Sequence, residues 1–168
     1  MRRILVDINV VLDVLLDRPA HVRHAAALWQ AIEQRRLEGL LAAHALTTIF
    51  YLVAKHRGRD VARTVIADLL TVFAVAPVDG DVLARAAALG LGDFEDAVTV
   101  AAAEAAGCEA VVTRDPAGYS GAPLDAVEPA LVLATLALAA LDDEVHEPVE
   151  TFGHQRRSLA RRRRKPGP

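Results

Sequence analysis

The sequence predicts a three-layer α/β/α domain in which a mostly parallel central sheet carries helices on both faces. Short apolar runs with β-branched residues recur along the chain, as expected of strands buried on both faces. One or two stretches of helical periodicity separate each run from the next, and a parallel crossover needs a dozen or more such residues. Two of the runs end at or just before an aspartate, where open α/β sheets place their sites.

Residues 3–6 form the first expected strand, ending at Asp7. Residues 9–16 show the helical stripe at Val10, Val11, Val14 and Leu15. Pro19 is expected to open a second helix running to about Arg36, with Ala27, Leu28, Ala31 and Ile32 inward. A second strand covers residues 39–43. Two helices follow at residues 45–56 and 59–73, separated at Gly58, a suitable C-terminal stop. Residues 74–78 form a third strand, which Pro77 places near an edge or a strand end.

Asp79 or Asp81 can cap a helix through Leu89, and Asp93 caps the next, which runs to Ala106 and stops at Gly107. Residues 110–112 make a fourth strand and residues 113–121 a loop. A short strand at residues 124–127 precedes a final helix at residues 129–141. The expected domain is residues 1–143. Residues 144–168 form a tail, acidic and then basic, and residues 142–150 and 151–168 are expected to be disordered.

The chain has 168 residues, of which 53% are hydrophobic and 24% charged, enough to bury one core of ordinary size. Its one cysteine, Cys108, excludes a disulfide framework and is expected to be a buried, inert thiol. The formal net charge of -3 hides an uneven distribution. Residues 1–150 hold all 22 acids and 12 of the 19 Lys and Arg, for -10, while residues 151–168 are +7. Met1-Arg2-Arg3 and the apolar run after it imitate a signal peptide, but Asp7, Asp13 and Asp17 interrupt the run. Residues 129–141 are too short to span a bilayer. A cytoplasmic protein with no membrane association is expected.

Asp7 emerges where the backbone leaves the first strand. It could cap the next helix, or Asn9 could do so and leave Asp7 facing the strand ends. Asp93, Glu95 and Asp96 crowd one helix start, where acids complement the helix dipole. Asp93 and Asp96 nevertheless project to one side, and two carboxylates there repel unless a cation lies between them. Asp115, within Thr113-Arg114-Asp115-Pro116, follows the fourth strand. Hard oxygen donors without His or Cys suit Mg²⁺ or Mn²⁺. The six histidines show no metal-ligand spacing, and His21 and His24 are read as surface residues.

Ile4-Leu5-Val6-Asp7-Ile8-Asn9-Val10, then Asp93-Phe94-Glu95-Asp96-Ala97, then Val111-Val112-Thr113-Arg114-Asp115 resembles the PIN-domain ribonucleases, the fold of VapC-type toxins. The resemblance spans residues 2–141, with the three segments in the family's order and spacing. It implies a Mg²⁺- or Mn²⁺-dependent endoribonuclease cleaving single-stranded RNA, the toxin of a toxin–antitoxin pair, with a cognate antitoxin and a homodimer as partners.

Carried over by position, Asp7, Asp96 and Asp115 are the catalytic acids and, with Asp93, the metal ligands. Asn9 and Thr113 support them. Thr48 stands about where the family places a further acid, most often Glu; its hydroxyl can hold a water but adds no charge. Arg114 and the tail's Arg161, Arg162, Arg163 and Arg164 are candidate RNA contacts. Two alternatives stand beside this reading. One is a catalytically weak or inactive PIN-fold module that binds RNA or protein. The other is a haloacid-dehalogenase-like phosphatase, which needs an acid where Asn9 stands.

Overall fold

A computed structural model describes residues 2–146, with the backbone alone for 142–146. The tail from residue 147 onward, with Arg161–Arg164, lies outside the described residues. The elements run β1 (Arg3–Val6), α1 (Ile8–Leu15), α2 (Val22–Glu33), β2 (Glu38–Ala42), α3 (Ala43–Arg57), α4 (Arg59–Val72), β3 (Ala74–Ala76), α5 (Gly80–Leu89), α6 (Phe94–Ala105), β4 (Ala110–Val112), a 3₁₀ turn (Pro116–Tyr119), β5 (Asp125–Val127) and α7 (Pro129–His146). The five strands form one sheet in the order β3-β2-β1-β4-β5, and every pairing is parallel.

Strand alternation sends Ile4, Val6, Leu41 and Val112 to one face and Leu5, Leu40, Ala42 and Val111 to the other. The first face packs on α1–α4 and on Val132 and Leu136 of α7; Trp29 and Phe73 meet there edge to face, with ring centroids 5.0 Å apart. The second packs on α5 and α6, whose buried stripe includes Ala97, Val100, Ala101 and Ala103. Cys108 belongs to this second core, and burial pushes its thiol up to about 11, so it is not poised as a nucleophile.

Several expected boundaries move for local reasons. Pro19 lies in a turn closed by His21 N–H to the Arg18 carbonyl at 3.0 Å, so α2 starts three residues later. It ends before Arg36 because Arg35 takes φ +56°. Pro77 ends β3 at Ala76, on a sheet edge. Asp79, rather than Asp81, caps α5, accepting from Val82 N–H at 3.0 Å.

Residues 142–146 are helical instead of disordered. With no proline between Leu141 and Pro148, α7 continues past Leu141, each added residue gaining one backbone bond. A compact unit covers Met1–Leu136; the second begins at Ala137 and comprises, in its described part, the rest of α7. Among the described residues no helix is long and apolar enough to cross a membrane.

Gly39 on β2 shows how closely α2 lies on the sheet. A Cβ built there would stand 2.6 Å from Ile32 Cδ1 and 3.0 and 3.1 Å from two further atoms of that buried, β-branched side chain. Gly39→Ala is therefore expected to destabilise the fold by roughly 1–3 kcal/mol, measured by urea denaturation. A smaller loss would mean that Ile32 can turn aside.

Candidate active site

Parallel pairing brings the carboxyl ends of β1 and β4 side by side, with Val6 opposite Val112, so Asp7 and Thr113 leave the sheet as neighbours. Asp7 occupies the N-cap position of α1, yet its side chain makes no capping bond. Its Oδ2 accepts instead from Asn9 Nδ2 at 2.6 Å and Thr113 Oγ1 at 2.7 Å. Asn9, expected as an alternative cap, also donates to Thr113 Oγ1 and accepts from Arg114 N–H at 3.1 Å. Asp115 N–H donates to Thr113 Oγ1 at 3.1 Å, which draws the β4 exit back towards the same point. Asp7 is buried, and Asp115 is exposed.

The third acid arrives on α6. Asp93 caps that helix, its Oδ1 accepting from Glu95 N–H at 2.7 Å and Asp96 N–H at 3.3 Å. Half-buried Asp96, in the first turn, faces the 3₁₀ turn after Asp115. A Cβ on Gly118 would lie 3.2 Å from Asp96 Oδ2 and 3.8 Å from Asp115 Oδ2, so glycine leaves room for both carboxylates. Burial raises the Asp96 pKa, and the charges of Asp7, Asp93 and Glu95 raise it further, against a lowering by Tyr119. Among the described residues no Lys or Arg pairs with Asp7, Asp93, Asp96 or Asp115.

Two further residues reach this edge that sequence reasoning missed. Tyr119 is buried with its hydroxyl beside Asp7 and Asp96, and burial and those two charges push its pKa up, although no bond of good geometry joins it to either. His44, in the first turn of α3, has both ring nitrogens shut off from solvent and unpartnered; burial lowers its pKa while Glu95 and Asp7 oppose that shift. Its position just past the end of β2, next to β1, was the available signal. Thr48 lies one turn further along α3, half-buried; among the described residues it makes no hydrogen bond to Asp7, Asp96 or Asp115.

The donors match a hard divalent cation in type, being carboxylate oxygens without thiolate, and their uncompensated charge favours one. They are not gathered into a finished shell: among the described residues no three His, Cys, Asp or Glu side chains form a group that could hold a metal. The edge is open, with Asp93, Glu95 and Asp115 exposed. Arg114 turns elsewhere, to Asp13 at 2.8 Å.

The PIN-domain family profile matches residues 3–117, more than half of the chain. The chain belongs to the PIN-domain family. No curated protein sequence matches it significantly. Among solved structures, this PIN domain is similar to DNA-bound VapBC from Salmonella typhimurium (15% identity, 76% of this chain and 98% of that chain, TM-score 0.59). It is likewise similar to FitAcB from Neisseria gonorrhoeae (20%, 75% and 97%, TM-score 0.57). A third is Mycobacterium tuberculosis VapC20, described as a sarcin-ricin loop cleaving toxin (22%, 64% and 86%, TM-score 0.53). At these identities the likeness is one of fold. Family membership sets aside the phosphatase alternative, as does Asn9, which is an Asp7 partner where that chemistry needs an acid.

The raised Asp96 pKa has a consequence for stability. A folded-state value above the unfolded one contributes stability that is complete below the ordinary carboxylate range and lost as pH rises through the raised value. In metal-free buffer Asp96→Asn is therefore expected to resist urea better than wild type near about pH 7, with the advantage shrinking towards about pH 4. An advantage that did not change with pH would show that charge repulsion is not its source.

Proposed function

We propose that this PIN domain is a Mg²⁺- or Mn²⁺-dependent endoribonuclease that cleaves single-stranded RNA as the cytoplasmic toxin of a toxin–antitoxin pair. The observation that carries the reading is the delivery of Asp7, Asp96 and Asp115 from three chain segments to one open edge with, among the described residues, no basic side chain paired to them. RNA phosphates would add negative charge there, and a divalent ion held by Asp7, Asp96 and Asp115, with Asp93 beside them, would offset both. When bound, such an ion acidifies water and neutralises the attacked phosphate.

The protein's own part is positioning. Asn9 and Thr113 engage only Oδ2 of Asp7, leaving Oδ1 available. Asp115 is held through its backbone, so its carboxylate stays free of the network. Phe94, 56% exposed beside Asp93 and Glu95, offers a ring face on which an unpaired base can stack. An edge exposed at Asp93, Glu95 and Asp115 suits a polymer better than a small ester. The likeness in fold to VapC20, a toxin, and to a toxin–antitoxin complex from Klebsiella pneumoniae supports a cognate antitoxin; a homodimer is part of the same reading.

Purified full-length chain is expected to cut single-stranded RNA with Mg²⁺ or Mn²⁺ and not with EDTA. Asp7→Asn or Asp96→Asn should lower kcat about 100-fold or more, since each removes a charge that would hold the divalent ion against the reacting phosphate. Binding of RNA without cleavage under every metal condition would instead support the inactive binding module, the reading that Thr48 in place of an acid favours.

The basic tail adds phosphate contacts in this proposal, Arg161, Arg162, Arg163 and Arg164 among them. Deleting residues 151–168 removes seven cations, so the slope of log affinity against log salt should flatten by up to about 5, with the cleavage pattern unchanged. An unaltered slope would assign RNA affinity to the folded domain alone.

A further inference from the structure

Asp13 lies on α1 at 2% exposure, one helical turn beyond Asn9, and its Oδ1 accepts from two guanidinium groups. Arg18 comes from the adjoining turn at 3.2 Å, and that turn is also closed by Arg18 N–H to the Asp13 carbonyl. One local arginine already compensates the buried charge. Arg114, at 2.8 Å, comes from the segment leaving the neighbouring strand β4, 101 residues on, and is the first half-exposed residue after β4.

Between buried Thr113 and buried Tyr119 the chain is partly or fully exposed, and it carries Asp115 and Gly118. Arg114 joins this segment to α1 twice, by its N–H to Asn9 Oδ1 and by its guanidinium to Asp13 Oδ1. Among the described residues no other ion pair ties it to another element. The guanidinium borders a cavity of about 110 Å³ lined also by His21, His24 and Glu128. It is thus within reach of solvent, yet held by a carboxylate.

We propose that Asp13 is a positioning residue for the acid edge, acting through Arg114 to hold the segment that sets Asp115 against Asp96. Arg114 is then a strut, not an RNA contact. The kinetic part of this inference rests on the ribonuclease reading; the structural part stands without it.

The test compares full-length wild type with Asp13→Asn, Arg114→Gln and the double variant, by amide hydrogen exchange and by RNA cleavage with Mn²⁺. Both single variants should lose protection roughly tenfold or more at the Arg114, Asp115 and Gly118 amides, while Leu5 and Val111 in the sheet keep theirs. They should lower kcat about 10- to 100-fold, as expected when a reacting group is misplaced by an ångström or less, with KM within about twofold. The double variant should be no worse than either single one, because both break one link.

Wild-type protection at these amides in both single variants overturns the proposal. So does a rise in KM confined to Arg114→Gln, which would make Arg114 an RNA contact. Should Asp13→Asn fail to fold, Arg114→Gln reads the same link from its half-exposed end. Wild type that cleaves no RNA refutes the ribonuclease reading alone, and hydrogen exchange then decides the strut by itself.

Discussion

Thr113 donates its hydroxyl to Asp7 across 2.7 Å, and both side chains are buried. This bond ties together the ends of β1 and β4, the two central strands on the site's side of the sheet. The β1 and β4 part of the edge is arranged from it. The oxygen that donates to Asp7 also accepts from Asn9 and from Asp115 N–H, so a single hydroxyl sets the start of α1 and the exit of β4. A neutral donor is what the position needs. A lysine or arginine there would orient Asp7 equally well, but it would cancel the charge that a cation site depends on.

The site is also a local conflict. Burial and three neighbouring acids raise the Asp96 pKa, which means that ionising this carboxylate carries a penalty in the folded protein. Two features keep the penalty moderate. Asp96 sits in the first turn of α6, where the helix dipole favours an anion, and Asp93 is occupied with capping the same turn. The large apolar cores on the two sheet faces hold the strand ends in register, so repulsion at the edge does not splay them.

Much of this was legible in the sequence for physical reasons. Strands buried on both faces must be apolar throughout, and a parallel crossover must be long, so the alternation of runs with helical stripes dictates the layers. Family resemblance then pointed to Asp7, Asp96 and Asp115, and the topology does bring them to one edge. What the sequence could not express was the choice of partner. Asp7 and Asn9 were both candidate caps, and neither caps; their side chains bond across 104 to 106 residues to Thr113. Asp13 looked like a break in an apolar run and is instead a buried anchor. His44 and Tyr119 show no spacing signal, because what places them is the run of β2 into α3 and the packing of the 3₁₀ turn against β5 and α6.

Thr48 is the point at which charge and fold bear on each other most directly. Three acids already meet at an edge without basic relief, and a fourth on α3 would deepen the like-charge repulsion that lifts Asp96. On that same helix, one turn earlier, His44 presents two unpartnered ring nitrogens in a setting that favours the neutral imidazole. A neutral ring adds polarity beside Asp7 and Glu95 without adding negative charge. The helix face that carries Thr48 and His44 thus contributes polar atoms rather than carboxylates, and the net charge of the edge is set almost wholly by β1, α6 and the turn after β4. A cation bound there would be held by fewer charges than four carboxylates around Thr48's position would give, and so more weakly and with faster exchange.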